Sequence, residues 1–166
     1  MSLEFPDKEF FIAAVGYSEL GLFLEANEQV EKINPLDRIT PAVLALRIDI
    51  YRGLEKWDLM QAASEVLHEL EPRELQFVIS YAYATRRAES IIAAKNILIN
   101  SLPKFPREAI MYYNLACYDC QLGQIDSAKQ YLKQAFRIDS NWRLEALGDD
   151  DLKPLWDCLE GLHKGH

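Results

Sequence analysis

Apolar residues recur along the chain at helical spacing rather than in the alternation typical of strands. Between residues 125 and 136 they stand at offsets 0, 3, 6, 7, 10 and 11, which places them on one face of a helix. Gly123 stands just before this stretch, where a left-handed residue commonly ends a helix. The pattern predicts two helices joined by a short turn. The apolar positions are Ile125, Ala128, Tyr131, Leu132, Ala135 and Phe136.

The same pattern returns every 34 residues, as the spacing from Pro72 to Pro106 shows. Small residues occupy the eighth and the twentieth positions in three of four units, as closely crossing helices require. Bulky residues at positions 14 and 17, such as Leu20 and Trp57, are expected to fill the space between the helices. The chain is therefore predicted to hold four helix pairs. The units are 7–40, 41–74, 75–108 and 109–142.

The last unit carries a resemblance to a known family. Its residues Tyr112-Tyr113-Asn114-Leu115-Ala116, Gly123, Ala128, Tyr131-Leu132 and Ala135 resemble the tetratricopeptide repeat (TPR), the helix–turn–helix unit of solenoid proteins. The resemblance implies an all-α fold, a right-handed α-solenoid of about four tandem repeats. Residues 143–164 are expected to form C-terminal capping helices, because the last repeat otherwise leaves an apolar side in water. This tail is similar to the closing segment of many bacterial arrays of the family, which implies a bacterial origin.

Composition and charge narrow the partners. The 166 residues, 49% apolar and 27% charged, fit one compact domain or a short repeat array. A net charge of −8 repels nucleic acid and anionic lipid, so neither is expected as a partner. No apolar run reaches the roughly 20 residues of a membrane helix, and the N-terminus lacks a signal-peptide pattern, so a cytoplasmic location is predicted. Residues 75–108 nevertheless carry a net charge of +3 between two acidic flanks.

The resemblance also implies where a partner binds. In TPR proteins the first helix of each unit lines a concave groove with residues at set positions. Arg and Tyr are frequent at binding hot spots, so Tyr83, Arg86, Arg87 and Tyr113 are predicted to form the partner site. The alternative is that both arginines only complement a helix dipole and that the tyrosines extend the core. The predicted groove residues are Phe11, Asp49, Arg52, Gln76, Tyr83, Arg86, Arg87, Tyr113, Cys117 and Gln121.

Residues with catalytic or metal-binding potential are few. Cys117 and Cys120 stand three apart, as in redox pairs and half zinc sites, and Cys158 and His163 could supply further ligands. Their position within a helix favours small core or groove residues instead. The histidines are scattered and no phosphate-binding or nucleophile motif occurs, so we expect no enzyme and no cofactor. Asp150 or Asp151 is expected to cap a helix rather than to bind a cation.

These observations predict a non-enzymatic scaffold or adaptor that binds a protein or peptide in the groove. The basic third unit favours a partner with acidic side chains or a C-terminal carboxylate. Three alternatives stay open. They are a chaperone dedicated to one secreted protein, as the resemblance to bacterial secretion chaperones allows; a cysteine-dependent redox or metal protein; and self-association through the apolar edge of a terminal unit.

Overall fold

The computed structural model describes residues 6–157, and every regular element within them is helical. The predicted all-α class is therefore confirmed for this part of the chain. Two compact units are distinguished, Met1–Ser90 and Ile91–His166. No helix between residues 6 and 157 has both the length and the apolar character needed to cross a membrane.

The first unit contains five α-helices and one 3₁₀ helix among its described residues. Its core joins the apolar faces of α1 to α4 with part of α5, and Ile33, Ile50 and Leu67 are fully buried there. The elements are α1 (Asp7–Glu19), α2 (Phe23–Val30), a 3₁₀ helix (Asp37–Ile39), α3 (Pro41–Gly53), α4 (Trp57–Leu70) and α5 (Leu75–Ala88).

The second unit begins with α6 and ends, in the described residues, with a short C-terminal segment. α9 begins at Trp142, one residue before the predicted cap, and residues 158–164 of that cap lie outside the described part of the chain. The elements are α6 (Ile91–Ser101), a 3₁₀ helix (Leu102–Lys104), α7 (Ala109–Gln121), α8 (Ile125–Ile138), α9 (Trp142–Gly148) and a 3₁₀ helix (Asp150–Leu155).

The helix starts repeat at a constant interval of 34 residues. The first helices of the four pairs begin at residues 7, 41, 75 and 109, and the second helices begin at residues 23, 57, 91 and 125. The residues at the eighth and twentieth positions are all buried, which allows α1 and α2, α3 and α4, and α7 and α8 to approach closely within their units. These residues are Ala14, Ile48, Ala82 and Ala116 at the eighth position, and Ala26, Met60, Ala94 and Ala128 at the twentieth.

The expectation that Leu20 fills the space between helices is wrong, since 75% of this residue is exposed. Leu20 is the residue that follows α1 and lies at the turn. The ring of Phe23 packs inward instead, against Gly53 of α3. A Cβ atom on Gly53 would come within 2.2 Å of that ring, so the missing side chain makes this contact possible.

Three of the helix pairs share one turn geometry. The residue after the C-cap of the first helix is left-handed in each, with φ of +74° at Gly21, +73° at Gly123 and +54° at Glu55. The next amide then donates to a carbonyl five residues back, as in the Schellman motif. These bonds join Leu22 to Tyr17 at 2.9 Å, Lys56 to Tyr51 at 2.9 Å and Gln124 to Asp119 at 2.8 Å.

A buried carboxylate connects three helices of the second unit. Asp119 of α7 is 0% exposed and forms an ion pair with Lys95 of α6. Ser127 of α8 donates a hydrogen bond to the same carboxylate. The ammonium group of Lys95 also donates to the side-chain oxygen of Gln124 at 2.9 Å. Because a buried charge is stable only when it is paired, Asp119 requires α6 and α8 to stay in place against α7.

We predict that Glu55→Gly stabilises the protein. A non-glycine residue costs about 1–2 kcal/mol in the left-handed region, while glycine adds backbone entropy to the unfolded chain. The net gain in the free energy of unfolding is expected to be about 0.5–1 kcal/mol, measured by urea denaturation. Glu74→Gly is the matched control, because Glu74 is an exposed glutamate with an extended backbone and a φ of −91°, so it gains nothing from glycine. Equal stability changes for the two variants would contradict the prediction.

We predict that Lys95→Met destabilises the protein by about 3 kcal/mol, because it leaves the buried Asp119 carboxylate without its counter-charge. Adding Asp119→Asn should restore most of the loss, since the amide is neutral and still accepts from Ser127. Urea denaturation measures both. Lys133→Met, at an exposed position of α8, controls for the loss of a surface lysine. A Lys95→Met variant as stable as the wild type would show that the ion pair contributes nothing.

Candidate functional site

One aromatic and basic cluster lies on the first unit. Trp57 is the first residue of α4, and Tyr83 and Arg87 stand one turn apart on α5. Residues four apart lie on the same face of a helix, so both side chains point toward the start of α4. We call Trp57, Tyr83 and Arg87 the Trp57 cluster.

The three side chains hold one another in place. The Trp57 and Tyr83 rings meet edge to face, with centroids 5.9 Å apart and planes at 77°. The guanidinium carbon of Arg87 lies 4.3 Å from the centroid of the Trp57 ring, within the range of a cation–π contact. Such contacts are worth about 0.5–1.5 kcal/mol each. The cluster therefore presents a guanidinium and two aromatic rings in mutual contact.

A shallow concavity of about 400 Å³ adjoins the Trp57 cluster. Two carboxylates and two cations contribute to it, so its charge is balanced. The guanidinium of Arg87 is planar, so its N–H groups can donate to a carboxylate in a bidentate manner. The concavity is lined by Glu55, Lys56, Trp57, Asp58, Leu59, Arg87 and Ala88.

Of the predicted groove residues, the structure brings Tyr83 and Arg87 together in the Trp57 cluster. Asp49 and Arg52 form an ion pair on α3, with 3.2 Å between the carboxylate oxygen and the guanidinium nitrogen. Gln76 is exposed near the start of α5, and Arg86 is half-buried in its last turn. Phe11 is half-buried and packs against the core of the first unit. Placement of both arginines in the last turn of α5 also fits their alternative role beside the helix dipole.

Sequence reasoning missed Trp57 as part of this cluster. Its apolar position in the 34-residue pattern assigned it to the space between helices, and it is indeed half-buried. The available signal was its residue type, because Trp is enriched with Tyr and Arg at binding hot spots.

The predicted groove residues of the second unit contact the chain's own C-terminal segment. The hydroxyl of Tyr113 donates to Asp149 at 2.8 Å, and its ring lies 4.5 Å from that of Trp142. The thiol of Cys117 lies 3.6 Å from the same Asp149 oxygen. The side-chain amide of Gln121 donates to the carbonyl of Asp151 at 3.0 Å.

These contacts correct the expected accessibility of two residues. Tyr113 is 5% exposed and Cys117 is 3% exposed, so neither lies open to a partner in this structure. The segment covers them because it has an apolar side of its own, on which Ala146, Leu152 and Leu155 are buried.

The expected helix cap lies one residue earlier than predicted. Asp149, rather than Asp150 or Asp151, accepts the backbone N–H of Asp151 at 3.0 Å. Asp149 has an extended backbone and directly precedes the 3₁₀ helix, which is the position where a side chain can reach the first unpaired amides.

The two described cysteines lack the features of reactive thiols. Burial, and then the charges of Asp151 and Asp149, raise the pKa of the Cys120 thiol, which disfavours the thiolate.

Cys117, Asp149 and Asp151 bring three potential metal ligands within 4.8 Å of one another. Asp149, however, already accepts bonds from Tyr113, Cys117 and the amide of Asp151. Cys158 and His163, the further ligands considered from the sequence, lie outside the described residues.

Comparison with known proteins identifies the fold. A scan of protein-family models and a search of curated proteins find no match. Solved structures of MamA do match. "MamA MSR-1 C2" has a TM-score of 0.72 at 18% identity, and the match covers 82% of this chain and 79% of that chain. "MamA RS-1 ArsTM double mutant" has a TM-score of 0.73 at 10% identity, and the match covers 82% of this chain and 77% of that chain. The chain therefore has a TPR-like helical fold.

A third structure extends the match over nearly the whole chain. "MamA AMB-1 P212121" has a TM-score of 0.68 at 15% identity and covers 96% of this chain and 93% of that one. Identities at this level establish the shared fold, and the residues of the Trp57 cluster have to be judged from their own geometry.

We predict that the protein loses stability above about pH 9, and that Tyr113→Phe reduces this loss. Burial, and then the hydrogen bond to Asp149, raise the pKa of Tyr113, and burial raises that of Cys120. The folded state therefore binds more protons than the unfolded state in alkali, and the free energy of unfolding falls with pH. Urea denaturation at a series of pH values from 7 to 11 gives the slope of the free energy of unfolding against pH. Equal slopes for wild type and Tyr113→Phe would contradict the prediction.

Proposed function

We propose that this protein is a non-enzymatic interaction scaffold that binds a peptide or protein segment at the Trp57 cluster. The observation that carries the proposal is the fixed contact of Trp57, Tyr83 and Arg87 beside an open concavity. Trp, Tyr and Arg are the residue types that contribute most to binding at protein interfaces. Their mutual contacts limit the side-chain entropy that binding would cost.

The partner segment is proposed to carry an acidic side chain or a C-terminal carboxylate. The guanidinium of Arg87 lies over the Trp57 ring at the edge of the concavity and offers planar N–H donors. Arg86 adds a second positive charge next to it in the chain. The carboxylates of Glu55 and Asp58 at the concavity disfavour a long acidic run. A single carboxylate next to apolar residues fits this arrangement better than a polyanion.

Two features support a binding function over the alternatives. Burial raises the pKa of the Cys120 thiol and disfavours its thiolate, which weakens the redox alternative. The C-terminal segment occupies Tyr113, Cys117 and Gln121 in the second unit, which leaves the exposed cluster of the first unit as the stronger candidate. A dedicated chaperone would use the same surface for a single client.

We predict that Arg87→Ala and Tyr83→Ala weaken binding of the partner peptide by about tenfold each, as loss of a hot-spot side chain does. Peptides are first selected on the wild-type protein from a random library with unblocked C-termini. Fluorescence anisotropy then gives the dissociation constant of the selected peptide for each variant and for its C-terminally amidated form. Selected sequences should contain Asp or Glu, or lose affinity on amidation.

Arg73→Ala is the matched control, because Arg73 is an exposed arginine of the same unit outside the cluster. It should bind as the wild type does. If the selected peptides bind Arg87→Ala and Tyr83→Ala unchanged, or if the library yields no binder, the Trp57 cluster is not the binding site. Circular dichroism of each variant excludes unfolding as the cause of a loss.

A further inference from the structure

A second surface lies on α4, away from the Trp57 cluster for most of its length. Leu59, Ala62, Val66 and Leu70 stand at offsets 0, 3, 7 and 11, which aligns them along one side of the helix. Leu59 is 46% exposed, Val66 is 40% exposed and Leu70 is 51% exposed, and Ala62 is exposed as well. We call these four residues the α4 stripe.

The α4 stripe is not the side of the helix that builds the core. Met60, Ala63, Ser64 and Leu67 are the residues that α4 buries, and they follow a separate line around the helix. α4 therefore has a second apolar line that the described part of the chain leaves in water. A row of three large apolar side chains on one helix face differs from the scattered exposed residues that any protein surface shows.

Carboxylates border the α4 stripe along its whole length. Asp58, Glu65 and Glu69 each directly precede one of the large stripe residues, so they form a parallel line on the neighbouring side of the helix. All three are exposed. Residues 57–70 contain no lysine or arginine, so no cation of α4 itself neutralises this border. Lys56 and Arg87 balance the charge near Asp58 at the concavity, and beyond it the border is negative at Glu65 and Glu69.

Tyr81 of α5 lies against this border. Its hydroxyl donates to Glu65 at 3.0 Å, and His68 stacks on its ring at 6.0 Å. Burial and the hydrogen bond to Glu65, together with the charges of Glu65, Glu89 and Glu69, raise the pKa of Tyr81 to about 12. The carboxylates thus act together on a neighbouring group.

We propose that the α4 stripe and its acidic border bind a basic amphipathic helix of another protein. Such a helix would place apolar residues against Leu59, Ala62, Val66 and Leu70 and align lysine or arginine with the carboxylates. The stripe extends over about 16 Å at 1.5 Å per residue, which matches a partner helix of about 12 residues. A second copy of this chain is disfavoured as the occupant, because each copy carries a net charge of −8.

This proposal goes beyond the proposed function, because it assigns a different surface and a partner of opposite charge. The Trp57 cluster offers arginine to a carboxylate, whereas the α4 stripe offers carboxylates to lysine or arginine. Val66 and Leu70 lie outside the lining of the Trp57 concavity, so their substitution tests the α4 stripe alone.

The test uses two fluorescent peptides of about 18 residues, long enough to form a helix. Both carry leucines at the spacing of the α4 stripe. The positions along one side of the leucine row are lysine in the first peptide and glutamate in the second. Fluorescence anisotropy at about 0.1 M salt gives the dissociation constants. The full-length protein should bind the lysine peptide and should bind the glutamate peptide at least about tenfold more weakly.

Two double variants separate the apolar and the charged contributions. Val66→Ser/Leu70→Ser should weaken binding of the lysine peptide by about tenfold or more. Glu65→Lys/Glu69→Lys should reverse the preference so that the glutamate peptide binds more tightly, a result that unfolding cannot produce. Ile92→Ser/Ile99→Ser, at exposed isoleucines of α6, is the matched control and should change neither dissociation constant. Arg87→Ala should leave the lysine peptide bound as before.

The proposal would be overturned if the wild type bound neither peptide or bound both equally. It would also be overturned if Val66→Ser/Leu70→Ser bound the lysine peptide as tightly as the wild type, or if the charge reversal left the preference unchanged. Sedimentation that shows a wild-type dimer dissociated by Val66→Ser/Leu70→Ser would assign the α4 stripe to a second copy instead.

Discussion

The close approach of paired helices is the constraint on which the rest of the structure depends. At the eighth and twentieth positions of the pairs α1 and α2, α3 and α4, and α7 and α8 the residues are buried, and most of them are alanine, so two helix backbones can pack with little between them. Once these contacts are made, the remaining positions around each helix have defined surroundings. The larger residues then either complete the core or stay on the surface, according to which helix lies next to them.

Tyr83 and Tyr113 illustrate how the neighbouring element decides the role of a residue type. Tyr83 meets Trp57 and keeps 37% of its surface exposed, so it can contribute to a binding surface. Tyr113 meets Trp142 and Asp149 of the C-terminal segment and is buried. The same kind of side chain thus belongs to a candidate binding site in one unit and to the stabilising contacts of the other.

The two surfaces proposed to bind partners on the first unit differ in charge. The arginines of α5 lie at its C-terminal end, where the helix dipole favours them and where Arg87 stacks on Trp57. α4 contains only acidic charges beside its exposed apolar line. A net charge of −8 therefore coexists with one site that suits a carboxylate and another that suits a cationic helix. The two proposed surfaces meet at Asp58 and Leu59, which line the concavity and also begin the α4 stripe and its border.

The sequence by itself determined the helical class, the spacing of the helices and the buried small residues, because these follow from periodicity and side-chain size within one unit. It also indicated Gly123 as a left-handed turn. It did not show that Glu55 takes the same conformation, that Leu20 is exposed, or that Asp119 is buried and paired with Lys95. Those outcomes depend on residues distant in the chain. The tertiary structure alone decided that Trp57 joins Tyr83 and Arg87, and that Asp149 covers Tyr113 and Cys117. A contact between two elements depends on how the elements are placed relative to each other, and the residue pattern within each helix does not contain that information.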